Sequence, residues 1–197
     1  HRKNFLLIEQ EIEPNYGLTD TTRRKFWIEM PKENNPMSFK KPGNKIIHDR
    51  EVICPQAIDR FRDMLRASAK SLAMLFYFGN FQNVKNGPQE NYARELMELH
   101  TIGVEGGFSE DDVQEVARCF TGGGIGRRDD GAVTFRFSPR RHDFGEKTLL
   151  GHTIPTEQGI EDGEQVLDIL AAHATTASFL AIMRCRRFVS DQPPDSL

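Results

Sequence analysis

The chain has 197 residues, 38% hydrophobic and 28% charged, which suits a domain with a real core and excludes wholesale disorder. Lys plus Arg number 26 against 29 Asp plus Glu, so the net charge is −3 and a generic nucleic-acid binder, which needs a basic excess, is excluded. No stretch approaches the roughly 20 apolar residues of a spanning helix. Cys54, Cys119 and Cys185 form no CxxC pair, which excludes a zinc knuckle and a dense disulfide framework.

Residues 1–50 form an irregular N-terminal extension, punctuated by Pro14, Pro31, Pro36 and Pro42, with one short helix predicted over 21–30. A helical domain follows over 51–197. Pro55 suits a first helical turn, and Ile58, Phe61, Leu65, Leu72 and Phe76 recur at helical spacing, with an interruption expected at 68–71. A second helix is predicted over 89–102, ended by Gly103 as a left-handed residue. The strongest local signal comes next. Ser109 and Asp112 make a capping box, Phe108 and Val113 a hydrophobic staple, and Val113, Val116, Ala117 and Phe120 a buried stripe.

The run Thr121-Gly122-Gly123-Gly124-Ile125-Gly126 reads as a turn. Val133, Phe135 and Phe137 alternate as a strand, expected to return antiparallel at 147–150 around a loop over 138–145. Two helices over 161–172 and 177–189 complete the chain. The predicted fold class is mainly α, with one small antiparallel β-hairpin.

Chemistry concentrates in two places. The glycine run is not a phosphate loop, because a helix precedes it and a strand follows. Residues 101–113 are not a calcium loop, since Ile102, Gly103 and Val104 cannot supply the early oxygen ligands. In the segment Glu90-Asn91-Tyr92-Ala93-Arg94-Glu95-Leu96-Met97-Glu98-Leu99-His100, an α-helix places Asn91, Glu95 and Glu98 in one stripe. Glu95 then borders the buried face, where a carboxylate is partly desolvated. A solvated acidic face beside a core histidine is the plainer reading of this segment. The second cluster, Arg140-Arg141-His142-Asp143, lies in the hairpin loop, where a site and a polar turn are equally good readings. There is no Gly-x-Ser-x-Gly elbow and no His-Glu-x-x-His helix.

The 90–104 segment, with Gly106-Gly107-Phe108, Val113-Gln114-Glu115-Val116-Ala117-Arg118, Phe135-Arg136-Phe137, His142-Asp143 and Arg186-Arg187-Phe188-Val189-Ser190, strongly resembles the bacterial DUF1800 family of proteins of unknown function. The resemblance reaches back to Phe61-Arg62-Asp63-Met64-Leu65 and covers roughly residues 50–194. It implies a largely helical bacterial protein, secreted or periplasmic, of which this chain is a central piece or a shortened relative. It implies no settled activity. The chain departs from the family in carrying Gly123 and Gly124 where a tryptophan is usual, and Gly79 where an aspartate is expected before Asn80.

Two function classes follow as expectations. One is a hydrolase acting on an extracellular polymer such as a polysaccharide, with Glu95, Glu98 and Asp143 as acid/base candidates and Asn91, Arg94, Arg140 and Arg141 binding substrate. Glycoside hydrolysis needs two carboxylates about 5–5.5 Å apart for retention or about 6.5–9.5 Å for inversion. The hydrolase is the leading expectation; the alternative is a non-catalytic helical scaffold or binding module of an exported assembly. A conditional expectation adds a divalent metal on His142 and Asp143, completed by Glu95 or Glu98, if the loop docks on the acidic helix. One cleft shared by all these groups favours the enzyme; separate surfaces favour the scaffold.

Overall fold

The computed structural model describes residues 52–129 and 133–190, so the helix expected over 21–30 lies outside the described residues. A short 3-10 turn, Cys54–Gln56, holds Pro55 in its first turn, where the missing N–H costs nothing. Helix α1 (Phe61–Ala69) and helix α2 (Leu72–Tyr77) follow end to end. The expected break between them is real: Ser71 is extended, and its hydroxyl accepts from Met74 N at 3.2 Å to cap α2.

The helix predicted over 89–102 is only partly α. Helix α3 (Asn91–Glu95) runs into a π-helical stretch, Leu96–His100. The cause is visible in the carbonyls beyond Glu95. Thr101 Oγ1 donates to Leu96 O at 2.7 Å and Gly103 N to Met97 O at 3.0 Å, so both acceptors are taken by residues further along and the turn widens. Gly103 closes the segment at φ +87°, in the left-handed region expected of it.

Helix α4 (Glu110–Cys119) has the predicted capping box, with Ser109 Oγ accepting from Asp112 N at 3.1 Å and Asp112 Oδ2 from Ser109 N at 2.8 Å. Its stripe of Val113, Val116 and Ala117 is sealed from solvent, and α3 packs beside it as the sequence suggested.

The hairpin forms with a different partner. Strand β1 (Gly123–Arg127) is the glycine run itself, and it pairs antiparallel with β2 (Val133–Phe137), Gly124 opposite Arg136 and Gly126 opposite Thr134. Segment 147–150 does not return to β2. Strand β3 (Lys147–Leu149) instead pairs with β4 (His152–Ile154) in a second two-stranded unit, reached through a 3-10 turn at Pro139–Arg141. Helix α5 (Ile160–Ala172) and helix α6 (Ala174–Phe188) complete the described chain, separated at His173, whose Nδ1 accepts from Thr175 N.

The fold is mainly α with small antiparallel hairpins. Its core joins Leu65, Met74, Leu96, Met97, Val116, Leu149, Ile154, Val166 and Leu170, each contributing about 1.5–3 kcal/mol of apolar burial. Across the α1–α5 contact lies a charged zipper. Glu164 meets Arg62 at 2.8 Å, Arg66 at 3.0 Å and Lys70 as well, while Asp168 takes Arg62 Nε at 2.6 Å. Among the described residues, no single helix is long and apolar enough to cross a membrane.

Candidate functional site

The acidic helix is tied to its neighbours. Arg94 forks onto Glu110 in the first turn of α4, at 2.9 and 2.6 Å, and also reaches Glu90 at 3.3 Å and Glu98 at 3.6 Å. The guanidinium offered as a substrate clamp is therefore the strut between α3 and α4. Asn91 is exposed at the start of α3, whereas Glu95 is buried at 5% exposure and Glu98 is half-buried. Because the π-helical turn begins directly after Glu95, the straight stripe expected to join Glu95 to Glu98 is interrupted there. His100 is enclosed against the edge of the Phe78 ring, and burial pushes its pKa down to about 4.

The loop cluster is built differently. His142, Lys147 and Asp162 are all sealed from solvent, brought together from the 3-10 turn, β3 and the first turn of α5. His142 Nε2 faces Asp162 Oδ2 at 3.0 Å, and its Nδ1 faces Thr121 O at 2.7 Å, so both ring nitrogens are engaged by oxygen acceptors. Lys147 Nζ donates to the same Asp162 oxygen at 2.5 Å, to Gly145 O at 2.9 Å and to Asp143 O, which uses all three of its protons. Rings of Phe137 and Phe144 close on His142 edge-on.

Asp143 turns the other way. Its carboxylate accepts from Arg118 Nε at 2.8 Å and Gly145 N at 2.8 Å, and the Arg118 guanidinium holds its pKa below the usual carboxylate range. Arg118 also pairs with Glu115 at 2.6 Å.

The residues expected to share one site are thus engaged by separate partners. His142 and Asp143, adjacent in sequence, face different partners, so the expected metal pair does not assemble. Among the described residues, no three His, Cys, Asp or Glu side chains are grouped to hold a metal ion. Arg141 Nη2 donates to Phe81 O at 2.7 Å, which fixes its position, and Arg140 is exposed. A cavity between α1, the β1–β2 ribbon and α5 is lined by Lys70, Asn80, Phe120, Phe135, Phe137 and Leu167, among others, and none of Glu95, Glu98 or Asp143 reaches it. Cys119 also borders it, with its thiol pushed up by burial and so kept protonated.

A family model described as "Protein of unknown function (DUF1800)" matches residues 34–197. The chain belongs to this family. Comparison with curated proteins and with solved structures found no match. In this DUF1800 chain the segment that carried the resemblance, residues 90–104, is also the one that departs from regular α geometry.

Sequence reasoning missed two residues of the buried cluster. Lys147 reads as part of a strand following the Arg140–Asp143 loop, and Asp162 falls inside the helix predicted over 161–172, neither with a role of its own. The signal available was periodic: Lys147, Leu149 and Ile154 share the inward face of the β3–β4 unit, which puts a lysine in an apolar row.

Proposed function

We propose that this part of the chain is a non-catalytic helical binding module of an exported assembly. The observation that carries this reading is the engagement of the polar groups nominated for chemistry. Glu98 is held by Arg94, Asp143 by Arg118, and His142 by Asp162 and Thr121, on separate parts of the fold, and none of the three lines the cavity between α1, the β1–β2 ribbon and α5. Such ion pairs fix helices and loops relative to one another. So held, these three groups serve structure rather than proton transfer at a shared reacting atom. Export rests on the resemblance to secreted and periplasmic proteins.

The test separates binding from turnover. The full chain is mixed with insoluble polysaccharides, and both co-sedimentation and release of soluble sugar are followed. Retention without new reducing ends supports the module, and release of sugar overturns it.

A second reading, hydrolysis of an extracellular polymer with Glu95 and Glu98 as acid and base, is favoured by one observation. Glu95 is nearly fully buried directly before a π-helical turn, and such turns are frequent at functional sites. It requires a carboxylate whose replacement by glutamine abolishes activity while the fold survives.

A further inference from the structure

The β1–β2 ribbon has two unlike faces. Gly123, Ile125, Phe135 and Phe137 lie on one, with Phe135 and Phe137 lining the inner cavity. Gly124, Gly126, Thr134 and Arg136 lie on the other, which carries neither a ring nor a large apolar side chain. The two glycines on this face act as beds for arginines. A Cβ at Gly126 would fall 2.7 Å from Arg136 Cδ, and one at Gly124 would fall 3.3 Å from Arg141 Nη1. Arg136 and Arg141 therefore lie flat against β1, on footings two residues apart, which is about 7 Å along a strand.

Their charges are unanswered. Arg141 is half-buried, yet among the described residues its guanidinium bonds one neutral carbonyl, Phe81 O, and no carboxylate. Among the same residues no ion pair involves Arg136, Arg140 or Lys85, all exposed. Lys85 N donates to Arg141 O at 2.9 Å, which sets Lys85 beside the Arg140–Arg141 turn. Three arginines elsewhere, Arg62, Arg94 and Arg118, are by contrast matched with acids. A partly desolvated guanidinium without a counter-ion costs free energy that an incoming oxyanion recovers.

We propose that this glycine-floored face, with Arg136, Arg140, Arg141 and Lys85, binds the carboxylate or sulfate groups of an acidic polysaccharide. The proposal rests on the binding-module reading. A planar guanidinium fork donates to such groups bidentately, and Arg136, Arg140 and Lys85 are exposed to meet them. Single-stranded nucleic acid would call for aromatic platforms, and the ribbon's rings point the opposite way. A membrane surface would call for apolar anchors, and among the described residues of this ribbon face, Gly124, Gly126, Thr134 and Arg136, there is none.

The experiment is titration of the full chain with polygalacturonate, with neutral dextran, phosphatidylglycerol vesicles and a single-stranded oligonucleotide as parallel arms. The Arg136→Gln/Arg140→Gln double variant leaves the Arg141 anchor on Phe81 in place, and an unchanged melting curve verifies its fold. Arg141→Lys keeps the charge and removes the fork. The expected result is binding to polygalacturonate that weakens with salt, falls about tenfold in the double variant, and also falls in Arg141→Lys. No binding, equal binding to dextran, tighter binding to vesicles or oligonucleotide, or affinity unchanged in the folded double variant would overturn the proposal. Shortening of the polymer would instead count against the non-catalytic reading, whichever way the affinities fall.

Discussion

Nε2 of His142 lies 3.0 Å from Oδ2 of Asp162, with both side chains wholly removed from solvent. Lys147 Nζ shares that oxygen, so a helix, a strand and a turn are pinned at one carboxylate. Buried charges do not add much to stability as a pair, but breaking such a pair leaves the survivor without compensation. Asp162→Asn and Lys147→Met should each destabilise the fold by about 3 kcal/mol or more, read as a shifted urea midpoint at constant slope. A loss below about 1 kcal/mol would show the cluster to be solvated in solution.

His100 gives a pH signature. Its pKa is about 4 in the fold against 6.5 for an unperturbed side chain, so the unfolded chain binds the proton first as pH falls. Stability is thus full above pH 6.5 and declines between 6.5 and 4, by up to roughly 1.4 kcal/mol per pH unit from this residue. His100→Phe, filling the place beside Phe78, should remove this part of the slope in urea unfolding at pH 7, 6 and 5. An unchanged slope would mean that the imidazole reaches water.

Gly122 turns the chain from α4 into β1 at φ +81°, and a Cβ there would sit 2.8 Å from Ser138 O. Both the backbone conformation and the space exclude a side chain. Gly122→Ala should cost about 2 kcal/mol, from left-handed strain and displacement of the 138–142 segment. Thermal unfolding measures it, and a neutral result would place the turn in another conformation.

Much of the helical frame was legible because local chemistry decides it. Ser109 with Asp112 announces α4, Gly103 marks the stop before it, and Ser71 divides α1 from α2. The pairing of β2 was not legible, because a run of glycines has weak strand propensity and reads as a turn. Close neighbours favour glycine in this strand: Arg136 lies over Gly126, and Arg141 reaches Gly124 from the turn beyond β2. The π-helical turn was hidden for a related reason: it depends on Thr101 and Gly103 reaching back to the Leu96 and Met97 carbonyls, whereas side-chain periodicity reads as α throughout. At the candidate site, residue types drew attention to His142 and Asp143, but their divergent partners, Asp162 and Arg118, lie 20 and 25 residues away.

In the proposed binding module, the ionisable groups of this DUF1800 chain serve folding and binding rather than chemistry. The most direct measurement assays the full chain beside Glu95→Gln, Glu98→Gln and Asp143→Asn on a panel of polysaccharides and esters, with unfolding curves taken on the same samples. The account predicts no turnover by any of the four proteins, and a loss of stability in Asp143→Asn, which weakens the pairing with Arg118. Turnover by the unsubstituted chain that falls about 100-fold or more in a carboxylate variant with an unchanged unfolding curve would contradict it.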